Sequence, residues 1–154
     1  MGIPSVVPHF KPENNKYKNP FGTEVVLFRT DKGGMARMVV SKDSYGWGAE
    51  MGRVRGEKGS YFCVQHNNCT DRYIGLNEKS LPDVRRPGLP PGVAPGGHGG
   101  SHGQLCNEFI SSILQNRKPL IDIAMALNLT VPGIVAHQSA LRNGELLKIP
   151  QYKS

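Results

Sequence analysis

A long aperiodic segment divides this 154-residue chain into two unlike halves. Residues 65–100 show neither the alternation of a half-buried strand nor the period of an amphipathic helix, and we expect them to form a loop. Short β-forming runs precede the segment, and helical periodicity follows it. Because strands come first and helices later, the order predicts an α+β fold: an open, mostly antiparallel β-sheet with two main helices on one face. A chain of this length suits a single domain.

The first half predicts an extended arm followed by a β-meander. Residues 1–20 are punctuated by prolines, a pattern typical of an extended segment without a regular element. In residues 21–64, the runs TEVVLFRT and MARMVVS flank the turn DKGG, which indicates a hairpin. The runs AEMGRVRG and SYFCV are expected to follow as the third and fourth strands.

The second half predicts two helices within residues 101–144. Ser101 and Gln104 have the spacing of a capping box, and an apolar stripe follows them. The first helix is therefore expected at about residues 102–116.

Asp122 has the position of an N-cap for the second helix, which Pro132 is expected to kink or interrupt. ELLKIP, residues 145–150, predicts a short last strand.

Charge and composition limit the partners that this chain is expected to bind. The net charge is +7, but the longest basic runs are pairs such as Arg85-Arg86, so no nucleic-acid partner is expected. No apolar stretch approaches the ~20 residues of a membrane helix, so no membrane partner is expected either. Three cysteines do not make a disulfide framework, and MGIPSVVPHF lacks the features of a signal peptide. A cytoplasmic location is favoured, and a periplasmic one stays open if an export signal precedes the chain.

The segment PPGVAPGGHGGSHGQLCNEF, residues 90–109, places His98 and His102 among glycines, with His98 before the first helix and His102 in its first turn. A dinucleotide-binding fingerprint would need a third glycine where His102 stands, and a strand before the loop. Neither is present, and no P-loop pattern occurs. The sequence therefore predicts no cofactor site in this chain.

A metal site is one alternative. Cys63, His66 and Cys69 have C-x-x-H-x-x-C spacing, so three residues could ligate zinc, but a closed structural site needs a fourth ligand. The structural alternative makes Cys63 a strand core residue and His66 a surface loop residue. His98 and His102 are four residues apart, but the helical geometry that would let them share a metal cannot be assumed across the intervening glycines.

Small-molecule recognition is a second alternative for the glycine-rich loop. Glycine lets the backbone approach a ligand closely, and the start of the helix presents free N–H groups. The helix dipole disfavours a charged imidazole at that end, and neutral imidazoles suit hydrogen bonding to sugar hydroxyls. On the sequence alone, a flexible loop with incidental histidines is favoured over this alternative.

The loop and the helix after it resemble the C-terminal end of Gfo/Idh/MocA-type oxidoreductases. The residues that carry the resemblance are the GGHGG loop and the pattern E-F-x-x-x-I-x-x-x-x-x-P-L-I-D, from Glu108 to Asp122. GRVRGEKGSYF, residues 52–62, resembles the family's strand–G-x-K-G-S/T–strand segment. The likeness spans about residues 20–150. Within the family, the chain is similar to a sugar-directed subgroup that includes NAD-dependent glycosidases.

This resemblance implies one part of a two-part enzyme. In the family, an N-terminal Rossmann domain binds NAD(P) and carries the usual catalytic lysine, and a C-terminal domain lines the substrate pocket and often forms the oligomer interface. The chain is similar to the second part, so the Rossmann domain is expected to be absent and to act as a partner. NAD(P) is implied for the full-length enzyme, with no cofactor and no independent catalysis in this chain.

The resemblance also implies site residues, although none is assigned a catalytic role. His98 stands where the GGHGG histidine faces the substrate, and His102 lies where the related glycosidases have an acidic residue. Lys42, Asp43 and Tyr45 follow the second strand, in a region that borders the pocket in relatives. The implied partners are a sugar or glycoside and a second copy bound through the sheet face. The alternative function is a non-catalytic sugar- or zinc-binding module.

Overall fold

The computed structural model describes residues 1–44, 52–62, 72–75 and 88–153. They contain two antiparallel three-stranded sheets and two helices, which confirms the α+β class. The chain divides into two compact units, Met1–Ser44 with Val93–Ser154 and Tyr45–Gly92, where the sequence predicts a single domain.

The sheet of the first unit has the strand order β1-β2-β3, with β1 at Gly2–Pro4, β2 at Phe21–Arg29 and β3 at Met35–Ser41. The prediction of an arm without regular structure is therefore corrected at its start, because β1 pairs antiparallel with β2. Two 3₁₀ turns, Pro8–Phe10 and Pro12–Asn14, occupy the middle of the arm. Proline suits the first position of each turn, since it has no N–H group to leave unpaired.

The predicted hairpin is confirmed. β2 and β3 pair without irregularity from Thr23 opposite Ser41 to Arg29 opposite Met35. The turn closes with a 2.8 Å bond from the Thr30 N–H group to the Gly34 carbonyl oxygen. Gly33 adopts φ 83°, a conformation that glycine allows at little cost.

Both predicted helices are present, and the first has a different start from the one expected. α1 spans Ser101–Leu114 and follows a 3₁₀ turn at His98–Gly100. Gly100, with φ 92°, is the N-cap, so the capping-box prediction at Ser101 is wrong. The left-handed glycine turns the chain into the helix, and the Ser101 hydroxyl donates to the His98 carbonyl oxygen at 3.1 Å.

α2 spans Ile123–Leu141, and Asp122 is its N-cap as predicted. The Asp122 carboxylate accepts a 2.8 Å hydrogen bond from the Met125 N–H group. The helix runs through Pro132 without interruption. Proline at that position forfeits its own N–H bond to the carbonyl one turn earlier, and the rest of the helix compensates for this loss.

α2 covers one face of the first sheet. Val26 and Phe28 of β2 and Met38 of β3 share this face, and together with α2 they line a cavity of about 170 Å³. Glu24 also points to this side, where its carboxylate lies 2.8 Å from Nδ1 of His137 in α2. A half-buried polar pair of this kind fixes the position of a helix along a sheet.

The segment after α2 forms no strand, so the strand predicted at residues 145–150 is corrected. Its backbone is held by side chains of α2 instead. The Ser139 hydroxyl donates to the Glu145 carbonyl oxygen at 2.6 Å. The Asn128 amide both donates to and accepts from the Tyr152 backbone, at 2.8 and 2.9 Å. This pair of bonds resembles the pair of backbone hydrogen bonds that two residues on neighbouring antiparallel strands exchange.

The second unit contains the strands β4 (Arg53–Arg55), β5 (Gly59–Phe62) and β6 (Arg72–Gly75), in the order β4-β5-β6. The predicted third and fourth strands correspond to β4 and β5. They form a sheet of their own, where the sequence predicts one continuous meander. β6 is a further correction, since it lies within the segment predicted to be loop.

Little of the described apolar surface is covered. The only buried hydrophobic residues among those described are Ala124 and Ala140, and no large side chain there is fully buried. The apolar stripe of α1, which includes Leu105, Phe109 and Ile113, is exposed. Within the described part, neither helix is both long and apolar enough to span a bilayer.

Candidate functional site

The histidine loop, residues 94–103, folds back over the first turn of α1. The Gly100 N–H group donates to the Gly97 carbonyl oxygen at 3.2 Å, and the Gly103 N–H group donates to the Pro95 carbonyl oxygen at 3.0 Å. Gly103 is buried, and a Cβ added to it would collide with the Ala94 carbonyl oxygen. The loop is therefore a turn held by its own backbone bonds.

His98 has an unusual backbone conformation. Its φ is 52°, in the left-handed region that side chains other than glycine seldom occupy. Gly96 and Gly100, with φ 66° and 92°, make the neighbouring turns. A residue held in this region costs on the order of 1 kcal/mol, so the surrounding bonds of the loop must maintain it. The result is an imidazole that stands at the surface beside the head of α1.

The two loop imidazoles lie next to each other. The ring centroids of His98 and His102 are 5.0 Å apart, with the planes inclined by 52°. The His102 ring also packs along Gly97, where an added Cβ would lie 3.0 Å from Cε1. Both residues are exposed, and within the described residues no hydrogen bond or ion pair engages either ring. Their nitrogens are available to a ligand.

Metal-binding groups of three or more ligands are not found among the residues that the structure describes. Cys106 is exposed and lies one helical turn after His102, but it does not complete such a group. The predicted zinc ligands Cys63, His66 and Cys69 lie outside the described residues. Among the described residues, the histidine pair therefore offers two protein ligands.

The other predicted substrate-binding residues are not joined to this pair. Lys42 is exposed at the end of β3, and its N–H group donates to the Gly22 carbonyl oxygen at 3.0 Å. Hydrogen bonds from the hydroxyls of Ser5 and Thr23 lower the pKa of Asp43 from its ordinary value. Tyr45 lies outside the described residues. Among the described residues, no bond connects Lys42 or Asp43 with either imidazole.

Sequence reasoning missed a clamp that closes the turn after α1. The Glu108 carboxylate binds the Arg117 guanidinium through two bonds of 2.7 and 2.8 Å. It also accepts a 2.8 Å bond from the Leu120 N–H group. The bonds from Arg117, with that from Leu120, lower the pKa of Glu108 from its ordinary 4.5 to about 2. Glu108 and Leu120 belong to the quoted family pattern, but nothing in the pattern indicated that they meet.

This clamp predicts a loss of stability in acid. The carboxylate of Glu108 is easier to ionise when folded than when unfolded, so its contribution is complete above the ordinary pKa and is lost as the pH falls from 4.5 towards about 2. Thermal unfolding midpoints should therefore fall over this interval more steeply in the natural chain than in Glu108→Gln. Glu145→Gln, which loses a longer and more exposed ion pair with Arg142, is the control. Equal pH profiles for the natural chain and Glu108→Gln would contradict the role of the clamp.

Comparisons of this chain with protein-family models, with curated proteins and with solved structures find no match.

Proposed function

We propose that this chain is the substrate-binding domain of a sugar-directed oxidoreductase of the Gfo/Idh/MocA type, in which His98 and His102 contact the sugar. One observation carries the proposal: two exposed imidazoles, without polar partners among the described residues, stand side by side on a loop held by its own backbone bonds. The resemblance of the GGHGG loop and the E-F-to-P-L-I-D pattern supports the family.

The polar groups at the head of α1 favour a neutral ligand over a phosphate. Phosphate sites at helix starts use free N–H groups. Here the N–H groups of Gly100 and Gly103 already donate to carbonyl oxygens of the loop. What the loop presents to solvent is a pair of imidazoles, each with a donor and an acceptor when neutral. Neighbouring sugar hydroxyls, which both donate and accept, are matched to such a pair.

Hydride transfer would require a second domain. In our proposal, NAD(P) is bound by a separate Rossmann domain, and this chain supplies the wall of the substrate pocket without catalysing the reaction alone. His98 and His102 position the sugar. Lys42 remains a lesser candidate at the border of the pocket. Asp43 is a weaker one, because the hydroxyls of Ser5 and Thr23 already donate hydrogen bonds to its carboxylate.

A second copy is the proposed partner for the sheet face that α2 leaves uncovered. Strand alternation places four exposed apolar residues on this bare face: Ile3, Leu27, Met35 and Val39. Arg29 and Arg37 lie towards the hairpin end of the same face, and Asp43 lies at its other end. A two-fold axis parallel to the sheet and perpendicular to the strands would bring the basic end of one copy over the acidic end of the other.

Calorimetric titration with a panel of hexoses and methyl glycosides tests the sugar site. At least one sugar should bind the natural chain, and His98→Ala and His102→Ala should each weaken binding by about tenfold, the effect of one lost hydrogen bond. His9→Ala, which removes an exposed histidine that stacks on Phe10, should bind as the natural chain does. Unchanged affinity in both loop variants would overturn the proposed site, and micromolar NAD(P) binding by this chain alone would overturn the two-part scheme.

A further inference from the structure

The spacing of the two loop imidazoles suits a ligand other than a sugar. A first-row divalent metal binds imidazole nitrogen at about 2.0–2.1 Å, which puts the ring centre about 3 Å from the ion. Two imidazoles on one ion at a near-tetrahedral angle therefore have their centres about 5 Å apart. The centroids of His98 and His102 are 5.0 Å apart. The ring planes are inclined by 52°, so the two rings are not stacked face to face.

We propose that His98 and His102 form a two-ligand site for a first-row divalent transition-metal ion, with Ni²⁺ as a representative. Imidazole suits nickel, copper and zinc. Two protein ligands leave several coordination positions to water, so the site is open and exchangeable, unlike a closed structural centre. The proposal does not rest on sugar binding, since it requires only the two imidazoles.

The loop is already arranged for such a site. His98 is held in its left-handed conformation by the turn that ends in the Gly100-to-Gly97 bond, and the Ser101 hydroxyl binds its carbonyl oxygen. The His102 ring packs against Gly97, which has no side chain that could displace the ring. Within the described residues neither imidazole gives up another bond when it ligates a metal. Little ordering of the loop is required, which favours binding.

Two effects oppose binding of a cation at this place. The positive end of the α1 dipole lowers the affinity by roughly fivefold at most per unit charge at an exposed position, and so by about thirtyfold at most for a divalent ion. Three nearby N–H groups, on Gly100, Ser101 and Gly103, already donate to carbonyl oxygens of the loop, which offsets part of that field. The net charge of +7 adds a further repulsion that salt screens. Neither effect prevents the two imidazoles from ligating the same ion. The metal affinity should fall on acidification, because a protonated imidazole cannot ligate a metal.

Calorimetric titration of the intact chain with nickel chloride, without sugar, tests this site. We expect one binding event that His98→Gln and His102→Gln each weaken by about tenfold or more, because each variant loses one of two protein ligands. Both side chains are exposed, so the variants should fold, and circular dichroism checks this. His9→Gln and Cys106→Ser should bind nickel as the natural chain does.

Three results would overturn the proposal: no nickel binding by the natural chain, unchanged binding in both loop variants, or loss of binding in Cys106→Ser. Loss of the binding event in a Cys63→Ser and Cys69→Ser double variant that retains both loop histidines would also overturn it. Because no sugar is present, failure here leaves the sugar titration unaffected. Failure of sugar binding likewise leaves the nickel result intact.

Discussion

Gly103→Ala is expected to displace the histidine loop from α1 and to lower the free energy of unfolding by about 2 kcal/mol. An added Cβ would collide with the Ala94 carbonyl oxygen and lie 3.0 Å from that of Pro95. Both obstacles are backbone atoms, so no side-chain rotation relieves the contact. The Gly103-to-Pro95 hydrogen bond would be lost as the loop moves. Since the loop carries both imidazoles, sugar affinity should fall by at least about tenfold.

Gly133→Ala is the matched control, because Gly133 is also a helical glycine and an added Cβ there meets no atom within 4 Å. This variant should gain stability by about 0.5–1 kcal/mol, the ordinary effect of alanine in a helix. Urea unfolding of both variants measures the difference. If Gly103→Ala were as stable as Gly133→Ala, the close contact between the loop and α1 would be refuted.

The second large effect is expected at the bare face of the first sheet. Val39→Glu should weaken self-association by about a hundredfold or more, because a carboxylate would be buried against apolar side chains of the second copy. Val54→Glu is a matched control, since both are strand valines with similar exposure, 56% for Val39 and 62% for Val54. Sedimentation velocity across a concentration series measures the change.

A natural chain that stays monomeric at high concentration would contradict the proposed self-association. Equal weakening by Val39→Glu and Val54→Glu would also contradict it, because Val54 belongs to the second unit and not to the bare face. Arg37→Glu provides a test of the charge arrangement. It should weaken association less than Val39→Glu, and the effect should shrink with added salt.

Elements decided by neighbouring residues were predicted well. The hairpin follows from two β-forming runs around DKGG, and Gly33 supplies the left-handed conformation that the turn requires. The Asp122 cap follows from an acidic side chain three residues before the N–H group that it binds. Both signals act over a few residues, so the sequence displays them directly.

Elements decided by distant partners were predicted poorly. β1 and β6 are short, and only pairing with β2 and β5 makes them strands. Residues 145–150 have the composition of a strand, yet Ser139 and Asn128 of α2 bind the backbone at Glu145 and Tyr152. The Glu24–His137 pair joins residues 113 positions apart, and no local pattern indicates such a contact.

The candidate site shows the same division. His98 and His102 are four residues apart, and glycines between them allow the turn that makes the rings neighbours. The sequence placed both residues in one loop but did not predict that their rings are neighbours, and the Glu108–Arg117 clamp needed the three-dimensional course of the turn after α1. The left-handed conformation of His98 could not be predicted from the sequence either, because glycines on both sides indicated a flexible backbone and not a fixed turn.

The central claim, that His98 and His102 contact a sugar, is tested most directly by NMR of the five imidazole rings during titration with the sugar that binds in calorimetry. We expect the resonances of His98 and His102 to shift together and to saturate with the calorimetric affinity, while those of His9 and His137 stay in place. Saturated sugar binding that leaves both loop imidazoles unshifted would contradict the account.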